Sequence, residues 1–329
     1  MVTPITRINT RRDSHDSLNV MGKVLFPVIA LVTFACVASA CASTKGASAS
    51  GNQSAVRSGA SAEAPLRVMT FNIRYNNPGD GINAWPNRKA WVAKLIRFHD
   101  ADVVGVQEAL SGMLADLDTL LPEYSRVGVG RTDGKEKGEY SAILYKKSRI
   151  EMFENRTFWL STNPEAVGVK AWDAALERIA TWGRFRDRVS GCTYVHLNTH
   201  FDHVGEKARQ ESAKLIRRQL GSIAGGFPVI VTGDLNSGPT SIAYTTLTTG
   251  AVDGGLAPLT DAYVSSREGN YGPSVSSNSF KEIGGNRIDY VLVSSGIDVL
   301  KHGILSDRWD GRFPSDHLPV IAALSMRCR

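Results

Sequence analysis

The stretch Val229-Ile-Val-Thr-Gly-Asp-Leu-Asn-Ser-Gly-Pro-Thr-Ser241 contains the pattern around which the rest of the fold can be placed. Its first three residues, Val229 to Val231, are a β-branched run that is typical of a buried strand. A carboxylate and a carboxamide follow at the strand end, where Asp234 could bind a proton or a cation and Asn236 could donate to a substrate oxygen. The alternative is a simple turn, because Asp and Asn side chains often bond their own backbone.

Strand and helix patterns alternate on both sides of this stretch, from about Pro65 onward. Many apolar strands with helices between them predict a layered α/β fold. The chain has 329 residues, of which 42% are hydrophobic and 21% charged, an ordinary globular balance. The predicted strands are 66–73, 103–108, 124–130, 140–145, 178–189, 193–200, a strand from 229, 287–294 and 318–326, and the predicted helices are 85–99, 113–121 and 205–220.

The N-terminal residues 1–41 have the composition of a secretory signal. Lys23 precedes an apolar run of about 14 residues, whereas a spanning helix needs about 20. Small residues then lead to Cys41, in a pattern similar to the lipobox of bacterial lipoproteins, although Ala38 stands where Leu is usual. We expect either lipidation of Cys41 and membrane anchoring in a bacterial envelope, or cleavage after Ala40 and soluble secretion. Met21 is the more natural start, so residues 1–20 are interpreted as a mis-assigned beginning.

Residues 42–64 are mostly Ser, Ala and Gly. Such a segment cannot bury enough apolar surface to fold, so we predict a disordered tether. The folded domain is then expected to span residues 65–329. Removing residues 1–40 takes away four basic and two acidic residues, which lowers the net charge from +6 to +4. This mild bias favours anionic ligands but does not by itself indicate nucleic acid.

Two cysteines, Cys192 and Cys328, remain in the predicted domain, and no CxxC or Cys/His zinc spacing occurs. An exported protein can hold a disulfide. Spacing alone leaves their pairing open, because it says nothing about proximity.

Polar side chains recur where the predicted strands begin or end. Each has a structural alternative: Glu108 as an exposed strand end, Asp316 as a cap, His317 as a core histidine. These residues fall at six strand ends of one scaffold, which instead predicts a common site, since functional groups concentrate where strands meet loops. The residues concerned are Asn72, Gln107, Glu108, His200, Asp202, His203, Asp234, Asn236, Asp289, Asp316 and His317.

Oxygen ligands without thiolates favour a hard cation, Mg²⁺ or Mn²⁺. The sequence has no Gly-x-Ser-x-Gly elbow and no phosphate-binding Gly-x-x-x-x-Gly-Lys loop, which argues against serine hydrolysis and nucleotide-triphosphate binding. Carboxylates with a cation, together with histidines and asparagines, fit attack of water on phosphorus.

Taken in order, these blocks resemble the endonuclease/exonuclease/phosphatase superfamily, which has the DNase I-like fold. The resemblance covers residues 66–326 and includes similarity to an exported bacterial branch and to deadenylase-like members. It implies a four-layer α/β/β/α sandwich of two packed mixed β-sheets with outer helices. The matching blocks are Thr70-Phe-Asn72, Gln107-Glu108, Asn198-Thr-His200, Gly233-Asp-Leu-Asn236, Arg287-Ile-Asp289-Tyr290 and Ser315-Asp-His317.

The resemblance also implies a metal site. Glu108 would ligate a Mg²⁺ or Mn²⁺ ion, Asn72 would lie beside it, and Asp316 would belong to the same metal network.

The remaining implied roles concern catalysis. Asp234 would orient or deprotonate the attacking water, and Asn236 would hold the phosphate. His317 would contact the phosphate while Asp289 orients its imidazole. His200 would stabilise the transition state from the other side.

The substrate stays open at this point: a nucleic acid, a phospholipid, or a sugar or inositol phosphate. We expect a monomeric enzyme, and the alternative is a non-catalytic exported binding module. Four residues are predicted to contact substrate: Arg88, Arg178, Asp202 and His203. A nuclease would need many phosphate contacts from basic residues, for which the candidates are Arg88, Lys89, Lys135, Lys137, Lys170 and Arg209.

Overall fold

The computed structural model describes residues 64–328. The predicted signal peptide, Cys41 and nearly all of the predicted tether lie outside this range. Within it, no helix is long and apolar enough to cross a membrane. The strands are β1 (Leu66–Asn72), β2 (Val103–Ala109), β3 (Tyr124–Val127), β4 (Tyr140–Lys146), β5 (Ile150–Trp159), β6 (Ile179–Asp187), β7 (Thr193–His200), β8 (Val229–Asp234), β9 (Thr260–Asp261), β10 (Asn270–Tyr271), β11 (Asp289–Val293), β12 (Ile297–Ile304) and β13 (Val320–Met326). The helices are α1 (Lys89–Phe98), α2 (Ser111–Leu120), α3 (Glu206–Ile223), α4 (Ile242–Thr248) and α5 (Ala262–Ser265).

Two mixed sheets are formed. One has the strand order β10-β12-β13-β1-β2-β4-β3, and the other has the order β5-β6-β7-β8-β11-β9. At the centre of each sheet two strands run parallel, β1 with β2 and β7 with β8. Their neighbours β4, β13, β6 and β11 run antiparallel to them. The starts of these antiparallel strands therefore lie at the same edge as the ends of the central strands.

Three separate apolar clusters define the layers. One lies between the sheets, for example Val68 against Val291. The second joins the outer face of the first sheet to α1 and α2, and the third joins the outer face of the second sheet to α3 and α4. This arrangement confirms the predicted four-layer α/β/β/α sandwich.

Along each central strand, the face between the sheets changes from apolar to polar. In β1, Leu66 and Val68 belong to the inter-sheet cluster, whereas Met69 and Phe71 pack against the helices. Because side chains alternate along a strand, Thr70 and Asn72 continue the inward face. The same change occurs in β8 and β7. The face between the sheets is therefore apolar toward one edge of the sandwich, called here the dry edge. It is polar toward the other edge, called here the polar edge or cleft edge.

A buried polar network connects the sheets between these edges. Gln107 Nε2 donates to Asn198 Oδ1 at 2.6 Å, and Thr232 Oγ1 donates to the same oxygen at 3.1 Å. The Asn198 amide donates to two carbonyls of the first sheet at 2.9 Å. Gly105 permits this approach, since a Cβ there would lie 2.2 Å from Thr232 Oγ1 and 2.5 Å from Asn198 Oδ1.

The opposite, dry edge is closed by paired charges and a disulfide. Arg149 donates to both oxygens of Asp187 at 2.9 and 3.0 Å, and to Asp102 at 2.8 Å. Cys192 and Cys328 are bonded, with their Cα atoms 5.2 Å apart. The pairing that the sequence left open is thus made, and it ties the β6–β7 turn to the end of β13.

The element boundaries differ from the prediction in a few places. The predicted helix 85–99 is a 3₁₀ turn, Trp85–Asn87, followed by α1, because Arg88, with a φ of −128°, is not helical and separates the two. Strands β5 and β12 were not predicted. The middle of β5 is polar and exposed at the sheet edge, so it has no apolar pattern to detect.

Candidate active site

The polar strand ends meet in one cleft of about 400 Å³ at the polar edge of the sandwich. Buried Asn72 and Asp289 contact the side chains that line it. The prediction that these blocks converge agrees with this geometry. The lining residues are Arg74, Tyr75, Glu108, Glu139, Leu176, Arg178, His200, His203, Asp234, Asn236, Asp316 and His317.

Asn72 bridges two carboxylates at the floor of the cleft. Its amide nitrogen donates to Glu108 Oε1 at 2.9 Å and to Asp234 Oδ2 at 3.0 Å. Its oxygen accepts from the Arg74 backbone N–H at 3.0 Å. Asn72 thus presents a nitrogen to the carboxylates and positions them beside the metal site that the resemblance implies.

The acidic side of the cleft has the donor set of a cation site. Glu108 and Asp316 face the cleft beside Asp234. Burial raises the pKa of Asp316, and the nearby Glu108 carboxylate raises it further while His317 opposes the rise. Asp234, Asp289 and His317 also offer ligand atoms within 4.8 Å of one another. Crowded carboxylate oxygens of this kind fit a hard divalent ion, which would relieve their mutual repulsion.

Asp234 is the most constrained acid of the cleft. Its Oδ1 accepts from the Asn236 backbone N–H at 2.8 Å. Burial, and then the Asp289 carboxylate, raise the pKa of Asp234 to about 7 against the opposing charge of His317. A carboxylate held this way can accept a proton near neutral pH.

His317 and Asp289 form the predicted imidazole–carboxylate pair. His317 Nδ1 lies 2.9 Å from Asp289 Oδ2, which also accepts from Ser276 Oγ at 2.6 Å. Burial lowers the pKa of His317, but the Asp289 and Asp234 carboxylates outweigh it and raise the pKa well above the usual value. Nε2, 3.8 Å from Asp234 Oδ2, therefore carries a proton on the cleft side.

His200 lies across the cleft floor and is held through Asn236. The Asn236 amide nitrogen donates to the Phe201 carbonyl and to His200 Nε2, each at 3.0 Å. Burial, and then the positive charge of Arg178, lower the pKa of His200 well below its usual value. His200 is thus a neutral group, unlike His317.

Three of the eight non-glycine residues with positive φ in the described range lie at this cleft. Arg74, Glu108 and Asn236 have φ values of 52°, 62° and 45°, in the left-handed region that side chains other than glycine disfavour. Strained conformations persist where surrounding contacts fix them, and they are enriched at functional sites.

The predicted substrate residues Arg178, Asp202 and His203 lie close together, but not all of them face the cleft. Arg178 and His203 line the cleft. Asp202 is buried and accepts from the backbone N–H groups of 175, 176, 204 and 205 and from Arg178 Nε at 3.2 Å. The expectation that Asp202 contacts substrate is therefore corrected: its lone pairs are occupied, and it positions Arg178 and the 173–178 loop.

Arg88 does not face the cleft. Its side chain is fully buried, and its guanidinium donates to backbone carbonyls including those of Ile73, Arg74 and Pro314. The prediction that Arg88 contacts substrate is wrong, because these carbonyls consume its donors. It instead ties the end of β1 to the segment that carries Asp316.

Sequence reasoning missed Glu139 on the cleft wall. Arg131 holds its carboxylate with two bonds of 2.8 and 2.9 Å. Glu139 directly precedes β4, which runs antiparallel to β2. The start of β4 therefore meets the end of β2. An acidic residue at the start of an antiparallel strand was the available signal.

The family model of the endonuclease/exonuclease/phosphatase family matches residues 69–317. This chain belongs to that family. Enzymes of the family are generally phosphoester hydrolases or nucleases and typically use divalent metal ions. A comparison with curated proteins found no match.

Solved structures agree with the family assignment. An endonuclease/exonuclease/phosphatase from Bacteroides vulgatus is 40% identical, with a TM-score of 0.76 over 80% of this chain and 100% of that one. A mannosyl-6-phosphatase from Bacteroides thetaiotaomicron is 35% identical, with a TM-score of 0.74 over 79% of this chain and 100% of that one. The human Nocturnin catalytic domain, at 20% identity and a TM-score of 0.63 over 80% and 94%, shares the fold.

Proposed function

We propose that this protein is an exported, divalent-metal-dependent phosphatase that hydrolyses a small phosphate monoester by attack of water. The observation that carries the proposal is the single cleft in which Glu108, Asp234 and Asp316 face the paired imidazole of His317 and the amide of Asn236. This set combines a base, a cation site and donors to phosphate oxygens.

The chain's own residues account for each part of the hydrolysis. Asp234 accepts a proton from water as its oxygen forms a bond to phosphorus, and the bond from phosphorus to the alcohol oxygen breaks. Protonated His317 donates to a phosphate oxygen, while Asn236 holds His200 beside the reacting centre, and the leaving alkoxide takes a proton from solvent. A Mg²⁺ ion held by Glu108 and the neighbouring carboxylates would supply charge neutralisation at the phosphate.

The proposal of a small monoester rests on the related mannosyl-6-phosphatase and on the placement of the basic residues. A nuclease needs a continuous cationic track for the phosphate backbone. Of the candidates for such a track, Arg88 is buried and Lys89 is paired with Asp116 at 2.7 Å. Two of the six candidates are therefore engaged elsewhere, and Lys135, Lys137, Lys170 and Arg209 remain.

Export is supported by two independent features. Lys23, the apolar run after it and the small residues before Cys41 have the order of a bacterial signal. The Cys192–Cys328 bond suits an oxidising compartment. A lipid on Cys41 would keep the enzyme at the membrane, so Cys41→Ser should move it to the soluble exported fraction. Identical fractionation of both proteins would leave secretion without an anchor.

The activity is tested by phosphate release. Purified residues 42–329 with Mg²⁺ should release inorganic phosphate from a hexose 6-phosphate much faster than they cleave bis(p-nitrophenyl) phosphate or single-stranded oligonucleotides. Efficient cleavage of the diester or the oligonucleotide, with no release from the monoester, would replace the phosphatase by a phosphodiesterase or nuclease.

A further inference from the structure

One wall of the cleft offers a hydrogen-bond donor, His203, and an anionic acceptor, Glu139. The hydrolysis itself uses neither of them. This wall, called here the Arg178 wall, consists of Arg178, His203, Glu139 and Leu176, all of which line the cleft. The acidic side described above binds the cation and the phosphate. The Arg178 wall therefore faces the rest of the substrate, the alcohol portion of the ester.

The contact with Arg178 determines which ring nitrogen of His203 carries the hydrogen. Arg178 Nη2 lies 2.9 Å from His203 Nδ1. A guanidinium can only donate, so Nδ1 must accept. The hydrogen of the ring then lies on Nε2. His203 is exposed, so Nε2–H is a donor of fixed identity at the cleft surface.

Glu139 supplies the complementary acceptor. Each of its oxygens accepts one bond from Arg131, which leaves further lone pairs on both. The side chain is 17% exposed and lines the cleft together with His203. A hydroxyl group both donates and accepts, so an N–H and a carboxylate that line the same cleft match an alcohol. A second phosphate would instead meet the negative charge of Glu139.

The wall is set before substrate arrives. Arg178 is only 4% exposed and is held by Asp202, which also binds four backbone N–H groups of the surrounding loops. Asp173 then caps the start of α3, accepting from the N–H groups of Lys207 and Ala208. Donors that need no ordering on binding cost less entropy, and their hydrogen bonds discriminate more sharply.

We propose that the Arg178 wall recognises hydroxyl groups of the leaving alcohol, and that the substrate is a phosphate monoester of a polyhydroxylated alcohol such as a sugar. The inference rests on the proposed phosphatase function. His203 and Glu139 contact the hydroxyls directly, whereas Arg178 and Asp202 are positioning residues that fix the tautomer and place of His203.

The test compares two primary alkyl phosphates that differ in their hydroxyl groups, a hexose 6-phosphate and butyl phosphate. Inorganic phosphate release with Mg²⁺ gives kcat/KM for each, and their ratio isolates hydroxyl recognition from phosphate chemistry. The variants are His203→Phe, which keeps a ring and removes the donor, and Arg178→Lys, which loses the contact to Nδ1. Arg186→Lys, on the exposed face of β6, is the matched control.

We expect wild type and the Arg186→Lys control to prefer the hexose phosphate by about 100-fold or more, as for sites built to bond a substrate hydroxyl. Each of the other two variants should lower that ratio about 10-fold, the loss of roughly one hydrogen bond. Melting curves verify that each variant is folded. Because His203 is exposed, the His203→Phe variant still provides the test if Arg178→Lys unfolds. An unchanged ratio in folded His203→Phe, or equal efficiencies in wild type, would overturn the inference alone. Release from neither compound would overturn the phosphatase proposal beneath it.

Discussion

The two edges of the inter-sheet interior treat charge in opposite ways. At the dry edge, Arg149 lies between Asp187 and Asp102, and each carboxylate has a cationic partner. Burial tends to raise the pKa of Asp187, but the bonds from Arg149 and Ser190 outweigh it and lower that pKa. At the cleft edge, buried carboxylates face one another, and the pKa values of Asp234 and Asp316 are raised.

The difference distinguishes charges that stabilise the fold from charges that are placed to bind a ligand. Breaking a well-formed buried ion pair strongly destabilises a protein. A buried carboxylate among like charges destabilises the protein until a cation or proton neutralises it. We therefore expect substitutions at the dry edge to change stability with little effect on turnover, and substitutions at the cleft edge to do the reverse.

The largest expected effect is at the cleft edge, with Asp234→Asn. Turnover should fall about 100- to 1,000-fold, because the amide can neither accept the proton of water nor attract a cation. The melting temperature should not fall, since a crowded buried charge is removed. Phosphate release and thermal unfolding of the same preparation measure both. Turnover within a few-fold of wild type would remove Asp234 from the mechanism.

At the dry edge, Asp187→Ala should cost about 3 kcal/mol of the free energy of unfolding, because it leaves Arg149 half-paired in a buried place. Turnover of the folded protein at 25 °C should stay near wild type. Denaturant titration provides the measurement. Glu165→Ala, which removes one partner of an exposed ion pair, is the control and should cost well under about 1 kcal/mol. Equal losses in the two variants would contradict the contrast between the edges.

Between the edges, Gly105→Ala tests how closely the sheets must approach. The added Cβ would overlap Thr232 Oγ1 and Asn198 Oδ1. Overpacking of this kind costs about 1–3 kcal/mol. Denaturant titration should show that loss, and the chain offers Gly112, at the exposed start of α2 with open space around it, as a control for the same substitution. A fully stable Gly105→Ala protein would mean that the polar network tolerates wider spacing.

The smallest expected effect is a pH dependence of stability from buried His302. Burial lowers the pKa of His302 to about 4. In the unfolded chain the same group binds a proton below about pH 6.5, so the folded state loses stability as pH falls from about 6.5 toward 4. The slope is at most about 1.4 kcal/mol per pH unit for one group. His302→Phe keeps a ring against Tyr263 and should reduce the slope measured between pH 6.5 and 5. An unchanged slope would show that His302 does not contribute.

The polar edge could be predicted from sequence because it follows from strand periodicity. Asn72, Asp234 and His200 end apolar strands, so their convergence needed only the rule that central strands end at one edge. Arg88 and Asp202 could not be placed that way. Their partners are backbone groups of distant loops, which converge only in the tertiary structure. Charge alone therefore did not distinguish a residue that binds substrate from one that positions the chain.

Residues at the starts of the antiparallel neighbours were found only in part. Asp289, Asp316 and His317 were predicted, whereas Glu139 was not, because it follows a charged loop that also contains Asp133 and Glu136. The disulfide was equally beyond the sequence, because Cys192 and Cys328 are 136 residues apart and meet only once β7 and β13 lie at the same dry edge.

If the cleft edge binds a divalent cation and a phosphate, activity must depend on metal concentration. Chelator-treated protein should release no phosphate from a hexose 6-phosphate and should regain activity on titration with Mg²⁺ or Mn²⁺. Glu108→Gln, which keeps the size and removes the charge, should need at least about 10-fold more metal for half-maximal activity. Full activity in chelator would show that hydrolysis needs no cation at the cleft edge. An identical metal requirement in Glu108→Gln would show that Glu108 does not bind the cation.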